Sequence, residues 1–250
     1  LMVKGSDVFY ATDPIERAVL AFNGSDYRSL WFDLSFPPTH IAFQSDEVYV
    51  TYDNMLYFGN PAYPDSQLQS LALDEPILGI CAGFQTVACV GSTKVIIFSK
   101  SWTNPVTWVI TPNWKGVTSC AVHSEDSIAF VGEQFKAGIA FLQWRDQKVS
   151  KLAVPFTLGA NQISILRGVA AVTVGDSKSP FSWKLYKGVL TQFNTGSTQV
   201  WSISNAIPSG VGMSSTAVYV ANQQAVWKLL ASGTSLINVM AKRTGGIVTL

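Results

Sequence analysis

Short apolar runs recur in pairs along this chain. Val8-Phe9-Tyr10-Ala11 precedes Val19-Leu20-Ala21-Phe22, Val48–Tyr52 precedes Met55–Phe58, and Val87–Val90 precedes Val95–Phe98. The series continues with Ile128–Val131 and Ile139–Leu142, then Val169–Val174 and Trp183–Tyr186, then Val218–Ala221 and Val226–Leu229. The runs are rich in β-branched and aromatic residues, and Asp53-Asn54, Gly91-Ser92-Thr93 and Asn222-Gln223-Gln224 supply turn chemistry between partners. Each pair therefore predicts an antiparallel hairpin. A third apolar element precedes most pairs, as in His40–Phe43, Ile77–Ile80, Ser119–Val122, Ile163–Leu166 and Gly210–Met213. A fourth follows several, as in Leu68–Leu73 and Lys151–Val154.

Four short strands repeated every ~40 residues is the arithmetic of a propeller blade. The expected fold is all-β: a β-propeller of about six four-stranded blades, forming a single domain over residues 1–250. Apolar runs without alternation fit strands buried on both faces, as blade-on-blade packing requires. A propeller must hide its terminal strand edges. Gly246-Ile247-Val248-Thr249-Leu250 resembles an inner strand without a blade of its own. The N- and C-terminal segments are therefore expected to close the ring, the C-terminal one completing the first blade. The longest helix candidate, Asp13 to Ala21, is weakened by Pro14 and β-branched neighbours. A chain starting at Leu1 rather than Met is read as a trimmed piece of a longer one.

Composition narrows function more than fold. Hydrophobic residues make up 48% and charged residues only 13%, a balance that suits a large core or extensive protein contacts. The net charge of +1, without a basic block, argues against general nucleic-acid binding. The most apolar stretch, Ile77 to Val90, is too short to span a bilayer, so no membrane span is expected. Cys81, Cys89 and Cys120 lack CxxC spacing and are read as three buried thiols in a reducing compartment, with a single disulfide as the alternative.

Motifs for catalysis are missing from the sequence. There is no HExxH, GxSxG, GxxxxGK or GxGxxG, and the two histidines, His40 and His123, each sit beside an apolar run. Glycosidic cleavage needs two carboxylates across one bond. The candidates are Asp7, Asp46, Glu47, Glu125, Asp126 and Asp176, and all but the last recur just before a strand, where turn roles explain them. The chain is therefore expected not to be an enzyme, with no catalytic residue, cofactor or metal site. The residues that invite a partner are aromatic: Trp102, Trp108 and Trp114 around Thr103-Asn104-Pro105, and Tyr63 in a proline-rich loop. They motivate a carbohydrate- or receptor-binding propeller as one reading.

A second reading comes from a resemblance. Met55-Leu56-Tyr57-Phe58-Gly59-Asn60-Pro61-Ala62-Tyr63-Pro64-Asp65 is similar to an "LYFSxPGYPD" stretch in the propeller parts of short-tailed bacteriophage tail nozzle and packaged-DNA-stabilising proteins. The likeness extends through Val87–Val90 and Ser92–Phe98, and Gly116–Val122 resembles that family's next segment, so it covers roughly Val48 to Leu142. Gly59-Asn60 and Ala62 depart from the pattern. The resemblance implies a structural tail component in the virion, assembled in the host cytoplasm. It implies a homo-oligomeric ring around the DNA exit channel that docks an adaptor, fibres or a plug, while DNA passes without sequence recognition.

Overall fold

A computed structural model describes residues 8–23, 26–31, 34–44, 47–63, 67–99, 105–109, 116–117, 119–132, 138–176, 179–203, 207–221, 226–230 and 236–238. The strands fall into consecutive antiparallel sheets, each following the chain. The first is β1 (Val8–Asp13), β2 (Ala18–Asn23) and β3 (Asp26–Trp31). The second is β4 (His40–Gln44), β5 (Glu47–Tyr52), β6 (Met55–Gly59) and β7 (Gln69–Ala72). The third is β8 (Gly79–Gly83), β9 (Thr86–Val90), β10 (Lys94–Ser99) and β11 (Val106–Val109). The fourth is β12 (Ser119–Ser124), β13 (Ser127–Val131), β14 (Ile139–Gln143) and β15 (Lys148–Leu152). The fifth is β16 (Gly159–Leu166), β17 (Val169–Asp176), β18 (Ser179–Val189) and β19 (Thr198–Ile203). The sixth is β20 (Gly210–Met213), β21 (Ala217–Ala221), β22 (Val226–Leu230) and β23 (Leu236–Asn238).

This is an antiparallel β-propeller with five four-stranded blades and a three-stranded first sheet. The expectation of about six four-stranded blades is thus met for five, and the segments expected to close the ring lie outside the described residues. The first strands of the four-stranded blades line the axis. β1 instead takes a second-strand place. The Leu34 amide after β3 donates to Arg17 O in the β1–β2 turn, as the Leu73 amide after β7 donates to Asn54 O in the β5–β6 turn.

Burial grades from the axis outward. The second strands β9, β13 and β21 are buried at every position, whereas the outer strands β7 and β15 are mostly exposed. Core clusters sit between consecutive sheets. Cys89 and Phe98 of the third sheet meet Tyr49 and Leu56 of the second. Val90 and Ile97 meet Ile128, Phe130 and Leu142 of the fourth. Trp183 and Leu185 of the fifth meet Val218, Val220 and Leu229 of the sixth. Each fully buried Val, Leu or Ile contributes about 1.5–3 kcal/mol, so these inter-blade faces hold the propeller together.

Two expectations are corrected. Asp13 to Ala21 is not a helix: it is the end of β1, a turn and the start of β2. Asp13 Oδ1 accepts from the Ile15 and Glu16 amides at 3.2 and 3.0 Å, and Arg17 closes the turn at φ 49°. That local carboxylate competes with helical bonding, as Asp does in turns. The cysteines are not three thiols. Cys81 and Cys120 form a disulfide, with Cα atoms 5.6 Å apart, and only Cys89 is free. The bond joins the first strands of the third and fourth blades. Cys81 lies opposite Ala88, and its counterpart in the next blade is Ala121, opposite Ala129. Cys120 is one residue away from that place. Successive strand residues point to opposite faces, so the two cysteines project toward each other.

Candidate functional site

The topology gives the propeller two distinct ends. Turns between first and second strands, and between third and fourth, lie at one. Turns between second and third strands lie at the other, with the crossovers to the next blade; this is the crossover end. Among the described residues it carries six of the nine exposed large apolar side chains, namely Ile15, Tyr52, Leu78, Val109, Leu158 and Ile207. Leu78 and Leu158 each stand directly before the glycine that begins a first strand, Gly79 or Gly159, and so flank the mouth of the axis. Ile207 occupies the corresponding crossover into β20. Only Tyr63, Phe84 and Val189 of that group lie at the opposite end.

Two carboxylates at the crossover end, Asp74 and Glu75, are tied down, while Glu16, Arg17 and Asp53 are exposed in turns there. Glu75 accepts from the Ser92 hydroxyl at 3.0 Å, the Thr93 hydroxyl at 2.9 Å and the Thr93 and Lys94 amides at 3.1 Å each. Lys94 also pairs with Asp74, and its hydrogen bond holds the Asp74 carboxyl below the usual carboxylate range. Asn161 donates to Pro208 O at 2.8 Å and accepts from Thr173, anchoring the last crossover to the fifth blade.

On the axis lies a cavity of about 270 Å³. Strand register arranges its wall in three layers. Nearest the crossover end are Ile41, Ile80, Cys120, Ile163 and Val211. The middle layer is uniformly small: Ala42, Cys81, Ala121, Ser164 and Gly212. Beyond it stand Phe43, Ala82, Val122, Ile165 and Met213. Tyr10 and Tyr219, from second-strand places, complete the described wall beside Ser214. No described wall residue carries a charged side chain. The disulfide is part of this wall.

The titratable groups near the axis are structural. His40 opens β4 with its Nδ1 3.1 Å from the Thr51 hydroxyl, and burial lowers its pKa to about 4. Burial pushes the Cys89 thiol up to about 12, which keeps it protonated. His123 packs edge-on against Phe141, with ring centroids 5.5 Å apart. Asp126 accepts from Ser124 at 2.7 Å within a turn. Glu47, Glu125 and Asp176 are dispersed among strand ends, while Asp7 and Asp46 lie outside the described residues. Among the described residues, no group of three His, Cys, Asp or Glu could hold a metal, and no helix is long and apolar enough to cross a membrane.

The aromatic partner candidates do not converge. Trp108 is 8% exposed, in the core between the third and fourth blades, stacked with Phe130 at 6.0 Å. Tyr63 is 68% exposed at the end opposite the crossovers, held by the Tyr63 and Ala62 amides donating to Asn60. Trp102 and Trp114 lie outside the described residues. The small middle layer of the cavity was the signal available in the sequence: Ala42, Cys81, Ala121, Ser164 and Gly212 recur at one place in five first strands.

No family model matches the sequence, and no curated protein is detectably similar to it. Solved structures do share the fold. A chain of a nidogen/laminin complex aligns over 98% of this chain and 97% of its own, with a TM-score of 0.73 and 8% identity. The WD40 repeats of RRP9 align over 100% of this chain and 85% of their own, with a TM-score of 0.62 and 10% identity. The extracellular domain of a putative one component system from B. thetaiotaomicron covers 99% of this chain, which spans 36% of that one, with a TM-score of 0.59 and 11% identity. These likenesses concern the fold alone. They also correct the virion and bacteriophage-tail identity expected above: the propellers returned are nidogen/laminin, WD40 and bacterial sensor structures, with no phage protein among those named. The quoted resemblance, roughly Val48 to Leu142, falls on the strands β5 to β14.

Proposed function

We propose that this chain is a non-catalytic binding scaffold that works by protein-to-protein association, with the crossover end as its contact surface and a second copy of the chain as its occupant. The carrying observation is the placement of six exposed large apolar side chains at that one end. Scattered singly, such residues need no explanation; sharing one end, with Leu78, Leu158 and Ile207 at the crossovers beside the axis mouth, they favour an interface. Lys94 offsets the charge of Asp74, and the hydrogen bonds of Glu75 to its turn lower the cost of bringing that carboxylate to an interface. A two-fold pairing presents the same patch from both sides, so a patch of weak net charge suits it. The chain's low charged fraction, 13%, agrees. A chain of a nidogen/laminin complex shares the fold, which supports a protein partner over a reaction.

Sedimentation velocity across a concentration series tests this reading. Native protein should form a discrete oligomer at micromolar concentration, with an interface on the order of 800 Å² per partner. Leu78→Glu combined with Leu158→Glu should give a folded monomer. A monomer at every concentration, or an oligomer indifferent to both substitutions, would overturn it.

A further inference from the structure

We propose that the axial cavity is a binding site for a small, uncharged aromatic molecule of one or two fused rings. Size comes first. An apolar cavity of about 150 Å³ holds benzene. The axial cavity, at about 270 Å³, is larger by enough for a second fused ring.

Wall chemistry sets the class. The side chains of the wall are mainly aliphatic and aromatic and none described is charged, although polar atoms contribute close to half of its surface. A carboxylate or ammonium entering it would lose hydration without gaining a partner, which is costly. Phe43 and Tyr10, with ring centroids 4.9 Å apart, give one side an aromatic surface. Met213 adds a polarisable thioether, which packs well against ring edges. In the middle layer the Ser164 hydroxyl can give or take one hydrogen bond, enough to orient a ring N–H or O–H.

The space is open where the middle layer is smallest. Among the described residues, a Cβ added at Gly212 would meet nothing within 4 Å, whereas one at Gly175 would meet Trp183 at 2.4 Å. Gly212, which lines the cavity, therefore has room beside it among the described residues. Bulkier layers on either side leave the room at mid-depth.

The cavity wall shares no residue with the association surface, whose leucines flank its mouth, so separate variants test the two. Isothermal titration of the native chain with indole should show saturable one-to-one binding. Gly212→Leu should weaken it by about tenfold or more, because the side chain occupies the space of the ligand, while the melting temperature stays at or above that of the native protein. Gly212→Val is the milder filling variant and should act in the same direction. Indole-3-carboxylate should bind at least about tenfold more weakly than indole. Leu78→Glu with Leu158→Glu should leave saturable one-to-one indole binding in place. No saturable binding up to the solubility limit, unchanged affinity in both filling variants, or equal affinity for the carboxylate would each overturn the proposal.

Discussion

Phe84 and Gln85 form the turn between β8 and β9 with φ of 48° and 64°, a left-handed pair without glycine. Only Asn, Asp and Gly adopt this region readily, and each other residue there costs about 1–2 kcal/mol. Phe84→Asn with Gln85→Gly should therefore raise unfolding free energy by about 1–2 kcal/mol, read as a higher urea midpoint at unchanged slope. His40 acts through pH. Its pKa falls from 6.5 to about 4 on folding, so the unfolded chain binds the extra proton between those values. Stability is complete above pH 6.5 and declines as pH falls toward 4, by up to about 3 kcal/mol. His40→Gln should flatten that part of the stability–pH profile measured by chemical denaturation. Neither effect could be seen in the sequence. The Asp53-Asn54 turn announces itself through residue type, whereas Phe84-Gln85 does not, and His40 shows its burial only once β4 is set against Thr51.

At the scale of elements, the disulfide between β8 and β12 closes a loop of 39 residues between adjacent blades. The chain-entropy account gives such a crosslink about 4 kcal/mol. Cys81→Ala with Cys120→Ala should lower the denaturation midpoint by that amount, and reductant should shift the native protein likewise while leaving the double variant unmoved. A neighbouring test concerns packing. Gly175→Ala places a Cβ 2.4 Å from the Trp183 ring, and should destabilise by about 1–3 kcal/mol through overpacking. The hairpins were legible because strands buried on both faces leave unbroken apolar runs: Val87–Val90 and Ile128–Val131 were found as β9 and β13. The disulfide was less so. Its cysteines sit one position out of step with the blade repeat, and that offset has meaning only when opposite faces of neighbouring sheets are known to meet. The turn after β1 misled for a local reason, since Asp13 caps a turn as readily as it starts a helix.

For the molecule as a whole, the repeat carried the architecture but not the function. Tyr63 and Trp108 drew notice as aromatics, yet they stand apart, one exposed at the end opposite the crossovers and one in an inter-blade core. The features that converge are modest residues at recurring places: the leucines before Gly79 and Gly159, and the small middle layer of the axial wall. A repeat makes such places coincide in space, so binding properties emerge from register rather than from a motif. The central claim is that the crossover end is where this propeller meets another protein. Hydrogen–deuterium exchange at low and high protein concentration tests it most directly. Protection should rise with concentration over residues 73–78, 153–158 and 207–209 and stay constant around Phe84 and Tyr63; a rise confined to the latter, or none at either end, would contradict the account.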